Sequence, residues 1–216
     1  MTIYNIMVYS LQMIYQGDVM ARPSMAKQRQ EEILDALETC ILEKGIQATS
    51  LEYLAETAKM KRTILRHYIG NRDEIICALS ARWSDLYQQQ WQETLAWLPE
   101  NDRVNALIDM LFSARNDQYV KNTMIGEALF GEAKRLDRVK VDIQKNMDDF
   151  IQVFVSQLTL DNPKAEHDKI ELVAHGIHAN YLMAESLLLL EMPSEIEMLK
   201  QVSLLLASSF EIQTIK

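Results

Sequence analysis

Little in this sequence breaks a helix or staples a chain. Six glycines and four prolines in 216 residues are too few for a turn-rich β architecture. The many Leu, Ala, Glu, Gln and Met residues favour helices joined by short connections. The two cysteines, Cys40 and Cys77, have neither metal-ligand spacing nor the density of a disulfide scaffold, and a reducing cytoplasm suits them. The most apolar stretch, MTIYNIMVYSLQMIY at residues 1–15, is too short to span a bilayer and is broken by Asn5, Ser10 and Gln12. No Lys or Arg precedes Arg22 and no small-residue cleavage site follows, so neither export nor membrane insertion is expected. Residues 1–24 read as an extension: an extra helix, a flexible arm, or sequence upstream of a start at Met20 or Met25. There is no nucleophile–base pair, no Gly-rich phosphate loop and no cofactor fingerprint. Neither an enzyme nor a cofactor is expected.

What is present is helical periodicity, with 48% hydrophobic residues available for a substantial core. In EEILDALETCILEKG, the apolar positions Ile33, Leu34, Leu37, Ile41 and Leu42 recur with a 3.6-residue period, and Gly45 fits the stop. Thr49 and Glu52 make a T-x-x-E capping box for a short second helix carrying Leu51, Leu54 and Ala55. After KMK comes RTILRHYI, whose Leu65, Tyr68 and Ile69 can face inward while Arg62, Thr63, Arg66 and His67 face out. Asn71 caps a long fourth helix, with Glu74 three residues on, that reaches Leu98 before Pro99. Further helices are expected over roughly 101–116, 119–136, 138–160, 164–191 and 194–212. The fold class is all-α.

Charge singles out one segment of this acidic chain. The formal net charge is −9, yet Lys59, Lys61, Arg62, Arg66 and Arg72 meet no acidic residue until Asp73. Residues 25–72 hold eight Lys and Arg against seven Asp and Glu, leaving −10 for the remainder. Only this part can approach a polyanion without strong repulsion. A cationic helix face is ordinarily just solvated. Here, however, a helix, a helix–turn–helix and a capped long helix form the arrangement that sets a third helix in a major groove about 12 Å wide. Arg62 and Arg66 lie one turn apart, as do Thr63 and His67, and the arginine fork suits guanine O6 and N7. Helix starts at Thr49 and Ser50, and at Asn71 and Arg72, offer N–H groups and a cation to phosphates.

Residues 29–76, GIQATSLEYLAETAKMKRTILRHYIGNRDEI within them, resemble the N-terminal domain of the tetracycline-repressor (TetR) family. Its signature runs roughly G-x-x-x-T-S-x-x-x-I-A, a turn, then T-L-Y-x-H-F-x-S/N-K/R-E/D-E-L. The resemblance covers about a quarter of the chain, and the large helical remainder is what it leads one to expect. It implies a DNA-binding domain over 25–72 and a helical effector-binding and dimerisation domain over 73–216. The DNA-contacting set is then Thr49, Ser50, Lys61, Arg62, Thr63, Arg66, His67, Tyr68 and Arg72. Departures stand out against it. Arg66 replaces a Tyr, Tyr68 a His, Ile69 a Phe, Lys59 the turn Gly and Lys61 a Ser N-cap, so the contact pattern and the operator differ from the family's usual ones.

The rest of the chain offers fewer signals. Met110, Phe112, Met124, Phe130, Met147, Phe150 and Phe154 are candidates to line an effector cavity, against the simpler reading of core packing. In ELVAHGIHANYLMAE, Glu171, His175, His178, Leu182 and Glu185 share a helical face. Glu-x₃-His-x₂-His could ligate a transition metal, but such sites usually need a fuller set, so no metal is assigned. His175 and His178 count as polar effector contacts instead, against an interface or core role. Gly176 in mid-helix implies a close approach by a ligand or a neighbouring helix. The SLLLLEM and VSLLLASSF runs imply homodimerisation through the last two helices. The reading is a cytoplasmic DNA-binding transcriptional regulator, most simply a homodimeric repressor of an inverted-repeat operator, released by a small-molecule effector. The alternative is a helical ligand- or partner-binding dimer that has lost sequence-specific DNA binding.

Overall fold

The computed structural model describes residues 24–113 and 116–210, and the extension foreseen for residues 1–24 falls almost wholly outside them. Among the described residues the chain is all-α: α1 Met25–Lys44, α2 Leu51–Thr57, α3 Arg62–Tyr68, α4 Arg72–Trp97, α5 Arg103–Leu111, α6 Asp117–Glu132, α7 Asp137–Asp161, α8 His167–Leu189 and α9 Pro193–Ser208. Helix α1 begins several residues before its apolar period can be read. Residues 25–30 are exposed throughout, and Ser24 opens the helix by accepting from Lys27 N–H.

The chain's stops and starts follow its capping chemistry. Gly45 closes α1, its N–H donating to Ile41 at 2.8 Å. At α4 the capping box is complete: Asn71 Oδ1 accepts from the N–H groups of Asp73 and Glu74, and Glu74 Oε2 accepts from Asn71 N–H at 2.7 Å. Gly70 beside it has φ of 98°, a conformation that a residue with a Cβ rarely adopts. At α2 the expected box is corrected. Ser50 is the cap and accepts from Tyr53 N–H at 3.1 Å. Thr49 is 3% exposed and turns inward, donating to Gly45 O.

The chain forms two compact units, one of residues 24–87 and 117–144 and one of 88–116 and 145–210 over the described residues. Helices α4 and α7 each contribute to both. The core of the first unit joins Ile33, Leu37 and Cys40 of α1, Leu54 of α2, Leu65 of α3, Ile75, Ile76 and Leu79 of α4, and Ile125 and Leu129 of α6. Arg82 of α4 clamps α1 through Glu31 at 3.1 Å, Asp35 at 2.7 Å and Glu38 at 2.7 Å. Burial alone would lower its pKa, but these carboxylates outweigh burial and raise it, so the guanidinium stays charged.

The second unit is centred on aromatic rings. Phe150 and Phe154 of α7, both fully buried, stack at 4.9 Å. Trp91 meets Phe150 edge-on, and Tyr181 stacks on it at 5.3 Å. Gly176 marks a close helix approach: a Cβ there would lie 2.9 Å from Leu206 Cδ1 of α9.

Leu65 is the one fully buried residue on the seven-residue α3, so Leu65→Ala is expected to cost about 2–5 kcal/mol. Urea unfolding of the full chain measures it.

Candidate nucleic-acid interface

The reading face is built by a turn and one anchored helix. Ala58 closes α2, and the turn to α3 requires Lys59 at φ of 53°, a left-handed conformation that costs an L-residue about 1–2 kcal/mol. Glycine would adopt it freely, which gives physical content to the departure seen at this position. Lys61 then starts α3 with extended backbone and no side-chain capping bond. Leu65 turns one side of α3 into the core, and Lys61, Arg62, Thr63, Ile64, Arg66 and His67 are left exposed.

These exposed groups are not equivalent. Arg62 pairs with Glu52 of α2, both side chains more than half exposed, an arrangement worth little in water and easily surrendered to a phosphate. The Arg66 side chain makes no ion pair or hydrogen bond among the described residues, while its carbonyl accepts from Gly70 N–H at 3.1 Å. Tyr68 is half-buried: its ring meets His67 edge-on at 5.2 Å, and its carbonyl accepts from Gln30 Nε2 at 2.9 Å. It supports the face more than it extends it.

Two of the expected DNA contacts are turned elsewhere. Thr49 is buried, leaving Ser50 exposed at the start of α2. Arg72, expected at a phosphate, instead donates Nε to Thr49 O at 2.9 Å and Nη2 to Ile46 O. It braces the α1–α2 loop from the start of α4. A second brace was not foreseen from sequence. Gln47 in the same loop donates to the buried Glu132 at the end of α6, which pairs with Arg135, and Arg135 also holds Asp73 at 2.8 Å. The loop that positions α2 is thus tied to the ends of two other helices. A buried Glu followed three residues later by Arg is the only sequence trace of this.

The expected effector residues divide between the two units. Phe150, Phe154 and His178 come together, the His178 ring lying 4.7 Å from Phe150. Met110 is half-buried on α5 of the same unit. Met124, 38% exposed, and Phe130, 57% exposed, lie on α6 in the first unit. The face expected to carry both histidines is split, with His175 exposed and His178 buried. Among the described residues no three His, Cys, Asp or Glu side chains converge as metal ligands. No described helix is long and apolar enough to cross a membrane. Burial first, and the neighbouring His175 second, pull the His178 pKa down to about 4.

Arg72→Ala is expected to lower stability by about 1.5–3 kcal/mol, since it removes charge-assisted bonds to the carbonyls of Thr49 and Ile46. Arg66→Ala should leave stability unchanged, and thermal melts of the two variants side by side test the contrast. For His178 the unfolded chain takes up a proton near pH 6.5 that the folded state refuses until about pH 4. Its effect is therefore a loss of stability as pH falls through that window, and none above it. Melting temperature against pH should flatten there in His178→Gln relative to the parent chain.

No protein-family model matches the chain, and no curated protein matches it. Solved structures do. A TetR transcription regulator from Haloarcula marismortui superposes with a TM-score of 0.70 at 14% identity, over 85% of this chain and 98% of that one. A TetR transcriptional regulator from Legionella pneumophila matches with a TM-score of 0.63 at 13% identity, over 86% and 97% of the two chains. The reduced form of E. coli NemR gives 0.64 at 19% identity, over 81% and 95%. The fold of this chain, helix–turn–helix followed by a larger helical region, is that of the TetR-family transcriptional regulators.

Proposed function

We propose that this chain is a cytoplasmic TetR-family transcriptional repressor that binds an inverted-repeat operator as a homodimer and is released from it by a small-molecule effector. The observation that carries the reading is the outward face of α3, where Arg66 stands exposed without an internal partner beside Thr63 and His67. A guanidinium held in this way is ready to form the bidentate contact that guanine offers in the major groove. Residues 25–72 act as the DNA-binding domain, and residues 73–216 bind the effector and dimerise.

The dimer reading rests on exposed apolar side chains that recur along α8 and α9. Leu172 is 72% exposed, Met183 53%, Met198 65% and Leu205 70%, a cost in water that a second copy removes. The effector reading rests on the aromatic cluster around Phe150 and His178. His178 is neutral at physiological pH and makes no hydrogen bond among the described residues, so its ring nitrogens remain available to a ligand. An effector that prefers one separation of the two α3 helices lowers operator affinity by its differential binding to the two states.

Selection of bound sequences from random DNA tests the DNA reading. The expected result is one inverted repeat, bound with steep salt dependence and not replaced by a scrambled sequence. Arg66→Ala should weaken that repeat by about 1–3 kcal/mol while leaving non-specific binding unchanged. Equal binding to every sequence would support the helical ligand-binding dimer instead. Leu205→Glu is expected to give folded monomers by light scattering, since burying an unpaired carboxylate in the seam costs several kcal/mol. A variant that remains dimeric would place the interface elsewhere.

A further inference from the structure

Ile64 is the aliphatic side chain that α3 leaves in water. It is 41% exposed, whereas its neighbour Leu65 is fully buried. A solitary exposed aliphatic is common on protein surfaces; its place on the helix is what distinguishes this one. With about 100° of rotation per residue, the outward direction of α3 bisects Thr63 and His67. Arg66 lies about 80° to one side of that bisector and Ile64 about 80° to the other. The face therefore has a cationic flank and an apolar flank, both exposed. Along the wall of a major groove the C5-methyl of thymine is the one apolar feature that a base edge presents. A β-branched side chain is already stiff at χ1, so little rotamer freedom is lost in holding a contact.

We propose that Ile64 reads the methyl group of a thymine in each operator half-site, on the opposite flank of α3 from the base read by Arg66. The proposal rests on the DNA-binding reading above and adds a specificity residue to it. The contact is van der Waals packing of the Ile64 side chain on the methyl carbon and involves no hydrogen bond. It therefore discriminates thymine from uracil, which pairs identically and lacks only that methyl.

The test uses the full chain and its selected operator, with each thymine replaced in turn by deoxyuridine at symmetric positions. One thymine position should lose about fourfold in affinity per half-site, the value of burying one methyl-sized group, and so about sixteenfold for the symmetric pair, while the remaining thymines tolerate replacement. Ile64→Ala should bind the thymine and uracil operators equally, and Ile64→Val, which keeps the branched carbon, should retain the discrimination. Because Ile64 is an exposed helix position, both variants should melt close to the parent chain. Indifference to uracil at every thymine overturns the proposal and leaves the DNA-binding reading intact. A methyl effect that persists at full size in Ile64→Ala also overturns it, by assigning the contact to another residue. Failure to select any sequence overturns both.

Discussion

A seven-residue helix cannot hold its own shape in water, because nucleation costs more than so few hydrogen bonds return. Helices α2 and α3 are both of this length, and α3 carries the proposed reading face. Its orientation depends on Leu65, sunk into the core that α3 shares with α1 and α2, since the other side chains of α3 are exposed or only half-buried. The tight turn before it enforces the geometry at the expense of a left-handed Lys59. The loop before α2 is held from two directions, by Arg72 at the start of α4 and by Glu132 at the end of α6. Rigid support of this kind turns a marginal helix into a surface with fixed side-chain directions.

The same scaffolding sorts the cations. Arg82 is consumed by three carboxylates of α1, and Arg135 by Asp73 and Glu132. Arg72 is consumed by backbone carbonyls. Arg62 keeps only an exposed partner, and Arg66 none among the described residues. Cations bonded inside the protein are held by it, while those on α3 stay exposed to solvent. A chain with net charge −9 thus presents usable positive charge where its short helix points outward.

In the second unit the packing is of a different kind. Aromatic rings of α4, α7 and α8 meet around Phe150, and one imidazole is drawn into them at a cost visible in its lowered pKa. This buried histidine is the polar element of the proposed effector site.

The sequence by itself determined the local features: the 3.6-residue period of α1, the stop at Gly45, the Asn71–Glu74 capping box and the exposure of Arg62, Thr63, Arg66 and His67. Each depends on neighbours within about one helical turn, so the residues that decide it are adjacent in the chain. Only the tertiary structure decided what long-range partners do. It turned Thr49 inward and passed the cap to Ser50. It drew Arg72 to the carbonyls of Ile46 and Thr49, and it left His175 exposed while burying His178. Arginine and aromatic side chains carry no mark of whether water, a carbonyl or another ring will meet them. That choice is made by elements tens of residues away, when burying apolar area brings them together.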